Sequence, residues 1–286
     1  MFLVGSSVVF FLLIFGISDE SVLFRGMPVA TGCVILIFFL QWLAFVPACF
    51  LKTEKFYDLM GALTFITVCL LSLVLVYRFD SRSFLLSTFL IIWASRLGWF
   101  LFSRMKISDG DSRFDAIKIN PSRFLLVWTM QGVWVTVCLS PVLATITGKS
   151  EVNLSFMDAP GIFLASVGFF VEVVADHQKR LHRDKYGAEM FICSGLWRYS
   201  RHPNYFGEII FWLGIVLTAL PAMSGFSYIS AIVPIFVYLL LTRVSGTRLL
   251  EKSAGIKWGD DPLYQKYVAE TPLLWPKIQY AKCFRG

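Results

Sequence analysis

Eight long apolar stretches constrain this chain more than any other feature. Each is long enough to cross a hydrocarbon core of about 30 Å as an α-helix, which rises about 1.5 Å per residue. Only 16% of the residues are charged, against about 25% in soluble domains. We therefore predict a single membrane domain over 1–286, folded as an all-α, polytopic bundle of about eight transmembrane helices. The stretches lie at about 1–17, 28–50, 59–77, 84–103, 122–146, 158–176, 203–222 and 226–243.

The distribution of basic residues indicates how these helices are oriented. With eight helices both termini share one face of the membrane, and that face carries 21 of the 26 Lys and Arg residues, whereas the opposite face carries four. Basic residues concentrate in cytoplasmic loops. We expect both termini in the cytoplasm, in a membrane of the bacterial inner-membrane or endoplasmic-reticulum type. The net charge of +7 then follows from topology, and we expect no nucleic-acid partner.

A polar stretch over 195–208 runs directly into the seventh apolar stretch. Its sequence is Gly-Leu-Trp-Arg-Tyr-Ser-Arg-His-Pro-Asn-Tyr-Phe-Gly-Glu. Charges at the edge of a hydrocarbon layer are costly and mark functional sites by default. Anchoring at the lipid headgroups would explain Trp197 to Tyr199, with Arg201 extended towards water. It does not explain Glu208, one helical turn beyond Asn204, for which Arg201 and Arg243 are candidate charge partners.

A second cluster lies at the end of the sixth stretch. Asp176, Lys179, Arg180 and Arg183 are spaced so that they share one face of a helix. Such a face is typical of the basic collar at a cytoplasmic helix end. It is equally suited to holding phosphate groups, which Arg binds through two parallel hydrogen bonds. Both interpretations stand at this point.

Other chemistries find little support in the sequence. The three histidines, 177, 182 and 202, are too few for a membrane di-iron cluster, and we expect no metal. The chain has no Gly-x-Gly-x-x-Gly, no Walker loop and no Gly-x-Ser-x-Gly elbow. A nucleotide, if bound, must therefore occupy a site built from helix ends and loops.

The 195–208 stretch resembles the signature of a superfamily of integral-membrane enzymes. Its members include steroid 5α-reductases, sterol C14 reductases, and isoprenylcysteine and phospholipid methyltransferases. The core from Arg201 to Tyr205 is common to the whole set. The continuation Gly207-Glu208-Ile-Ile-x-Trp212-x-Gly214 is closer to the 5α-reductase branch. The chain is identified as a member of a largely bacterial group within that branch.

This resemblance implies NADPH, held on the cytoplasmic side by the last helices and the tail. Asp176, Arg180 and Arg183 match an Asp and two Arg of a cofactor-contacting stretch, in which Lys179 replaces a Leu and Glu172 replaces an Asn. Asn204 and Glu208 match residues that reach the nicotinamide and ribose region. The implied cofactor-binding set is Asp176, Lys179, Arg180, Arg183, Arg201, His202, Asn204, Tyr205, Glu208, Arg243 and Tyr264.

The substrate side departs from the family pattern. The 5α-reductases bind and protonate a 3-keto group with a Glu and a Tyr, and the nearest residues here are Asp58 and Trp93. Trp has no acidic proton to give, so we predict that Tyr57 or Asp58 is the catalytic acid. We expect the substrate side within 1–121 and the cofactor side within 122–286.

The expected function is NADPH-dependent reduction of a conjugated carbon–carbon double bond in a lipid-soluble, steroid- or isoprenoid-like molecule. The expected partners are that hydrophobic substrate, taken from the bilayer, and the membrane lipids, with the protein acting as a monomer. Two alternatives remain open. One is a membrane methyltransferase that uses S-adenosylmethionine, and the other is a non-enzymatic lipid-binding or transport protein.

Overall fold

The computed structural model describes residues 2–107, 112–187, 189–244 and 246–277. Within them the regular secondary structure is helical, apart from one two-stranded hairpin, β1 (Leu23–Phe24) and β2 (Met27–Pro28). The helices are α1 (Phe2–Asp19), α2 (Val29–Leu51), α3 (Tyr57–Val76), α4 (Ser81–Ile107), α5 (Ser112–Asp115), α6 (Pro121–Thr147), α7 (Ala159–Tyr186), α8 (Pro203–Ala219), α9 (Val233–Leu239), α10 (Thr247–Trp258) and α11 (Pro262–Glu270).

Seven helical segments of the described chain are long and apolar enough to cross a membrane. A shorter apolar helix, Val9–Asp19, precedes them. The prediction of an all-α, multi-pass membrane bundle is therefore confirmed. The seven segments are Val29–Leu51, Tyr57–Val76, Ser81–Ser103, Pro121–Thr147, Phe156–Tyr186, Pro203–Ala222 and Gly225–Trp258.

The last apolar stretch is less regular than the sequence predicts. It begins as a 3₁₀ helix over Gly225–Ile232, continues as α9 and ends as a π-helix over Leu240–Val244. Pro234 has no backbone N–H, and an α-helix tolerates proline in its first turn, where that group has no intrahelical partner. The regular helix accordingly starts only at Val233, with this proline in its first turn.

The chain divides into two compact units, and the first comprises Met1–Asp158 with Val216–Ala231. Its core contains the buried rings of Phe65, Trp93 and Trp128. A buried ion pair joins the start of α4 to the loop before α7: the Arg82 guanidinium binds both oxygens of Asp158, at 2.6 and 2.8 Å. Both side chains are only 1% exposed.

The second unit comprises Ala159–Ile215 with Ile232–Gly286. Here α7 and α8 approach backbone to backbone at glycines. A Cβ on Gly168 would lie 2.3 Å from the Phe211 nitrogen, and one on Gly214 would lie 2.2 Å from the Ala165 nitrogen. No side chain fits in that space. This contact places the polar end of α7 beside the start of α8.

Candidate functional site

The cationic face of α7 forms as its spacing predicts. The helix continues unbroken past its apolar part to Tyr186. Along this face Asp176 is buried, at 6% exposure, whereas Lys179, Arg180 and Arg183 are exposed. The Lys179 ammonium lies 4.9 Å from the centroid of the Trp197 ring. The face therefore offers three cations next to one buried carboxylate.

That carboxylate bonds to the first turn of α8. The Asn204 side chain donates from Nδ2 to Asp176 Oδ1 at 3.1 Å. Because a carboxylate can only accept, this bond fixes which way the amide points. The buried Asn204 Oδ1 is left with no hydrogen-bond partner among the described residues. Glu208, half-buried, follows one turn deeper in the same helix.

The predicted start of α8 is also confirmed. The helix begins at Pro203, where a proline removes no intrahelical hydrogen bond. Asn204 and Glu208, four residues apart, therefore lie on one helical face. Their roles in binding a cofactor stay predictions.

Arg201 and His202 share an acidic partner that the sequence did not identify. His202 Nε2 lies 2.8 Å from Glu251 Oε1, and the Arg201 guanidinium pairs with the other oxygen, Oε2. Arg201 thus has Glu251 as an acidic partner, and a pairing of Glu208 with Arg201 or Arg243 stays a prediction. The His202 ring stacks on Tyr205, with centroids 5.5 Å apart and planes 11° from parallel.

No sequence signal identifies Glu251 in advance, because the large aliphatic residues of α10, Leu249, Leu250 and Ile256, are exposed. Its partner His202 lies 49 residues away in sequence.

Burial lowers the pKa of His202 below its ordinary value, although the bond to Glu251 opposes that shift. The residue is only 5% exposed, so desolvation of its charged form dominates. Lys179 and Arg201 lower the pKa further. His202 is consequently neutral near pH 7.

The tail closes over the 195–208 stretch through backbone and side-chain bonds. The Arg201 N–H donates to the Pro272 carbonyl at 2.9 Å. The Ser200 hydroxyl donates to the Leu274 carbonyl at 2.8 Å, and the Tyr267 hydroxyl donates to the Trp197 carbonyl at 2.7 Å. These three bonds join the tail to the 195–208 stretch.

Two predicted cofactor residues lie apart from these bonds. Tyr264 is buried among aromatic rings, with its centroid 5.2 Å from that of Phe191 and 5.8 Å from that of Trp258. Arg243 is exposed in the π-helical turn. Burial raises the pKa of Tyr264, so its phenol stays protonated. Contact of either residue with a cofactor stays a prediction.

The two candidate acids, Tyr57 and Asp58, lie in the first unit at the start of α3. The Tyr57 hydroxyl donates to the Val127 carbonyl at 3.0 Å, so its proton is already engaged. Asp58 lines a cavity of about 70 Å³ together with Trp93 and Gln131. Of the two residues, Asp58 is the better placed to meet a ligand.

Gln131 is a further polar residue of this cavity that sequence reasoning missed. Its Nε2 donates to the Tyr57 carbonyl at 2.9 Å. Its buried Oε1 has no partner within the described part of the chain. The sequence around a glutamine in an apolar helix does not show whether its side chain packs against another helix or contacts a ligand. The pattern of apolar residues is the same in both cases.

These features define a multi-pass membrane protein with a polar, cation-bearing site in its second unit. Residues 44–271 match the family model described as "Protein of unknown function (DUF1295)", and the chain belongs to that family. The family lies in the steroid 5α-reductase-like superfamily. No solved structure matches the chain significantly.

The chain is also similar to a fission-yeast protein, the "Uncharacterized protein C594.04c" of Schizosaccharomyces pombe. The two are 24% identical over 233 residues, which cover 71% of this chain. The match covers 66% of the yeast protein, slightly less than two thirds of its length.

Proposed function

We propose that this protein is a membrane-embedded, NADPH-dependent reductase of a conjugated carbon–carbon double bond in a lipid-soluble, steroid- or isoprenoid-like substrate. One observation carries the proposal: the exposed cations of α7 adjoin a partly buried Asp176–Asn204 pair that leaves the buried amide oxygen of Asn204 unpaired among the described residues. A ligand suited to both features has anionic groups at one end and a buried hydrogen-bond donor at the other. We further propose that this site faces the cytoplasm, where the cofactor is dissolved.

The cationic face fits the phosphates of NADPH. Lys179, Arg180 and Arg183 present one ammonium and two guanidinium groups, which form strong charge-assisted hydrogen bonds with phosphate oxygens. NADPH carries a 2′-phosphate in addition to its pyrophosphate. The number of cations therefore suits NADPH better than NADH.

The buried pair fits the nicotinamide end. A carboxamide carries two N–H donors, and Asn204 Oδ1 is a buried acceptor without a partner among the described residues. Leaving such an acceptor unpaired costs about 1–3 kcal/mol, so a donor that fills it contributes to affinity. When bound, NADPH would supply the hydride for the reduction.

Asp58 is the candidate acid. Asp58, in its protonated form, can donate a hydrogen bond to the carbonyl of a conjugated substrate and so polarise it. Its cavity is otherwise lined mainly by apolar and aromatic side chains such as Phe65, Trp93 and Trp134. An apolar substrate that partitions into the bilayer suits such a lining.

Arg180→Ala and Arg183→Ala should each weaken NADPH binding by about 1–3 kcal/mol, the range for a hydrogen bond to a charged group. Binding is measured by calorimetry on protein purified in detergent, with NADPH, NADH and adenosine 2′,5′-bisphosphate as ligands. Wild-type protein should prefer NADPH to NADH, and both variants should also lose affinity for the bisphosphate.

Lys185→Ala is the matched control for these variants. Lys185 is exposed near the end of the same helix, but it points about 180° away from the face that carries Asp176. Its loss should leave binding unchanged. If Arg180→Ala and Arg183→Ala also bind NADPH like wild type, the cations are a membrane-orienting collar and carry no ligand.

Glu208→Gln should reduce NADPH affinity or turnover tenfold or more, equivalent to about 1.4 kcal/mol, while the protein stays folded. The substitution keeps the shape of the side chain and removes only its charge, at a depth where a carboxylate must be paired or hydrogen-bonded. Glu189→Gln serves as a control, because Glu189 is 85% exposed in its surface pair with Lys257. A Glu208→Gln variant that binds NADPH normally and loses only thermal stability would make Glu208 a structural residue.

The same binding assay addresses the alternatives. S-adenosylmethionine has no phosphate, so the basic face of α7 would have no function in a methyltransferase. Binding of S-adenosylmethionine, and not of NADPH, would overturn the reductase proposal in favour of methyl transfer. Binding of neither would favour a lipid-binding or transport protein.

A further inference from the structure

Glu251 joins two residues of the 195–208 stretch from a distant helix. It lies in α10, and its two oxygens are divided between two partners: Oε1 contacts His202 Nε2 at 2.8 Å and Oε2 pairs with Arg201. The Arg201 side chain is 16% exposed and that of His202 is 6% exposed. The carboxylate is therefore held between a cation and a buried imidazole.

This arrangement determines where the imidazole carries its proton. A carboxylate only accepts hydrogen bonds, so Nε2 must be the protonated nitrogen of His202. In the neutral ring the other nitrogen, Nδ1, is then a bare acceptor. His202 Nδ1 is buried and has no hydrogen-bond partner within the described ranges.

A buried acceptor without a partner is unfavourable unless a ligand or water fills it. A second buried acceptor without a partner among the described residues, Asn204 Oδ1, lies two residues further along the chain. Glu251 accepts from Nε2 of His202, and Asp176 accepts from Nδ2 of Asn204. In each residue the donor is therefore engaged, and the acceptor atom remains available to a ligand. The start of α8 thus selects for ligand groups that donate hydrogen bonds.

We infer that Glu251 is a positioning residue that holds His202 in the Nε2–H tautomer, so that Nδ1 accepts a hydrogen bond from a ligand hydroxyl. The inference rests on the proposed function for the identity of that ligand. Asn204 is assigned there to the nicotinamide carboxamide. The hydroxyl then belongs to the ribose on the nicotinamide side of NADPH.

The role of Glu251 can be read without any ligand, from the ¹⁵N resonances of the His202 ring in cofactor-free protein. Wild type should show the Nε2–H tautomer. In Glu251→Gln the new side-chain amide has one oxygen and one NH₂ group. Arg201 has only hydrogen-bond donors, so it pairs with the amide oxygen, and the NH₂ group then faces His202 Nε2. The ring should switch to the Nδ1–H tautomer, and NADPH affinity should fall at least tenfold.

His202→Gln tests the acceptor with little risk to the fold. A glutamine amide can replace Nε2 and still donate to Glu251, but it has no atom equivalent to Nδ1. This variant should bind NADPH at least tenfold more weakly and bind adenosine 2′,5′-bisphosphate, which lacks the nicotinamide half, like wild type. The unchanged bisphosphate affinity shows that the cationic face is intact.

Each other outcome has a definite meaning. A wild-type Nδ1–H tautomer, or a tautomer unchanged in Glu251→Gln, overturns the positioning role. Normal NADPH affinity in His202→Gln, or equal losses for both ligands, overturns the hydroxyl contact. If wild type binds no NADPH, the proposed function and the ribose assignment both fail, whereas the ¹⁵N result still decides the role of Glu251.

Discussion

Arg82→Met is expected to cause a large loss of stability, because it leaves Asp158 buried without its charge partner. Removing one member of a buried ion pair typically costs about 3–5 kcal/mol. The guanidinium also donates to the carbonyls of Val152 and Asn153, at 3.0 and 3.1 Å, and to that of Thr218. The measurement is the midpoint of thermal unfolding in detergent, together with the yield of monodisperse protein.

The double variant Arg82→Met, Asp158→Asn separates charge from packing. It removes the uncompensated carboxylate, so it should recover part of the lost stability. Arg25→Met is the control, since Arg25 is an exposed arginine in the same unit and its loss should change little. A single Arg82→Met variant as stable as Arg25→Met would show that the buried pair contributes no net stability.

Gly168→Leu should prevent α7 and α8 from packing and should abolish NADPH binding with it. A Cβ at this position would lie 2.3 Å from the Phe211 nitrogen and 2.6 Å from the Gly207 oxygen. Both atoms belong to the backbone, so no side chain can move aside. The usual cost of overpacking, about 1–3 kcal/mol, should be exceeded because the two helices must separate.

Gly255→Leu is the matched control for this substitution. A Cβ on Gly255, in α10 of the same unit, meets nothing within 4 Å, so its leucine should be tolerated. The measurements are again the thermal midpoint and NADPH binding. A Gly168→Leu protein that folds and binds NADPH normally would contradict the close helix contact on which the Asp176–Asn204 bond depends.

Local periodicity was enough to predict much of the candidate site. The spacing of Asp176, Lys179 and Arg183 indicates one helical face, and α7 presents that face. Pro203 indicates the start of α8, and the helix begins there. Each of these features depends on residues within one or two helical turns, where backbone geometry alone decides which side chains are neighbours.

Residues that meet across long separations could not be predicted in this way. Glu251 contacts His202 across 49 positions, and Gln131 contacts Tyr57 across 74. Local sequence constrains neither contact, because the packing of separate helices decides it. The sequence could not decide between Tyr57 and Asp58 as the candidate acid for the same reason. The carbonyl that accepts from the Tyr57 hydroxyl belongs to Val127 in a different helix, α6.

By itself, then, the sequence determined that this is an all-α, multi-pass membrane protein with polar residues gathered at the ends of two apolar stretches. Apolar length and helical periodicity are local properties, and lipid permits few backbone structures other than helices. Only the tertiary structure decided that Asp176 orients Asn204, that Glu251 orients His202, and that glycines let α7 and α8 touch. These outcomes depend on which helix faces which, and a pattern repeated every 3.6 residues contains no information about that choice.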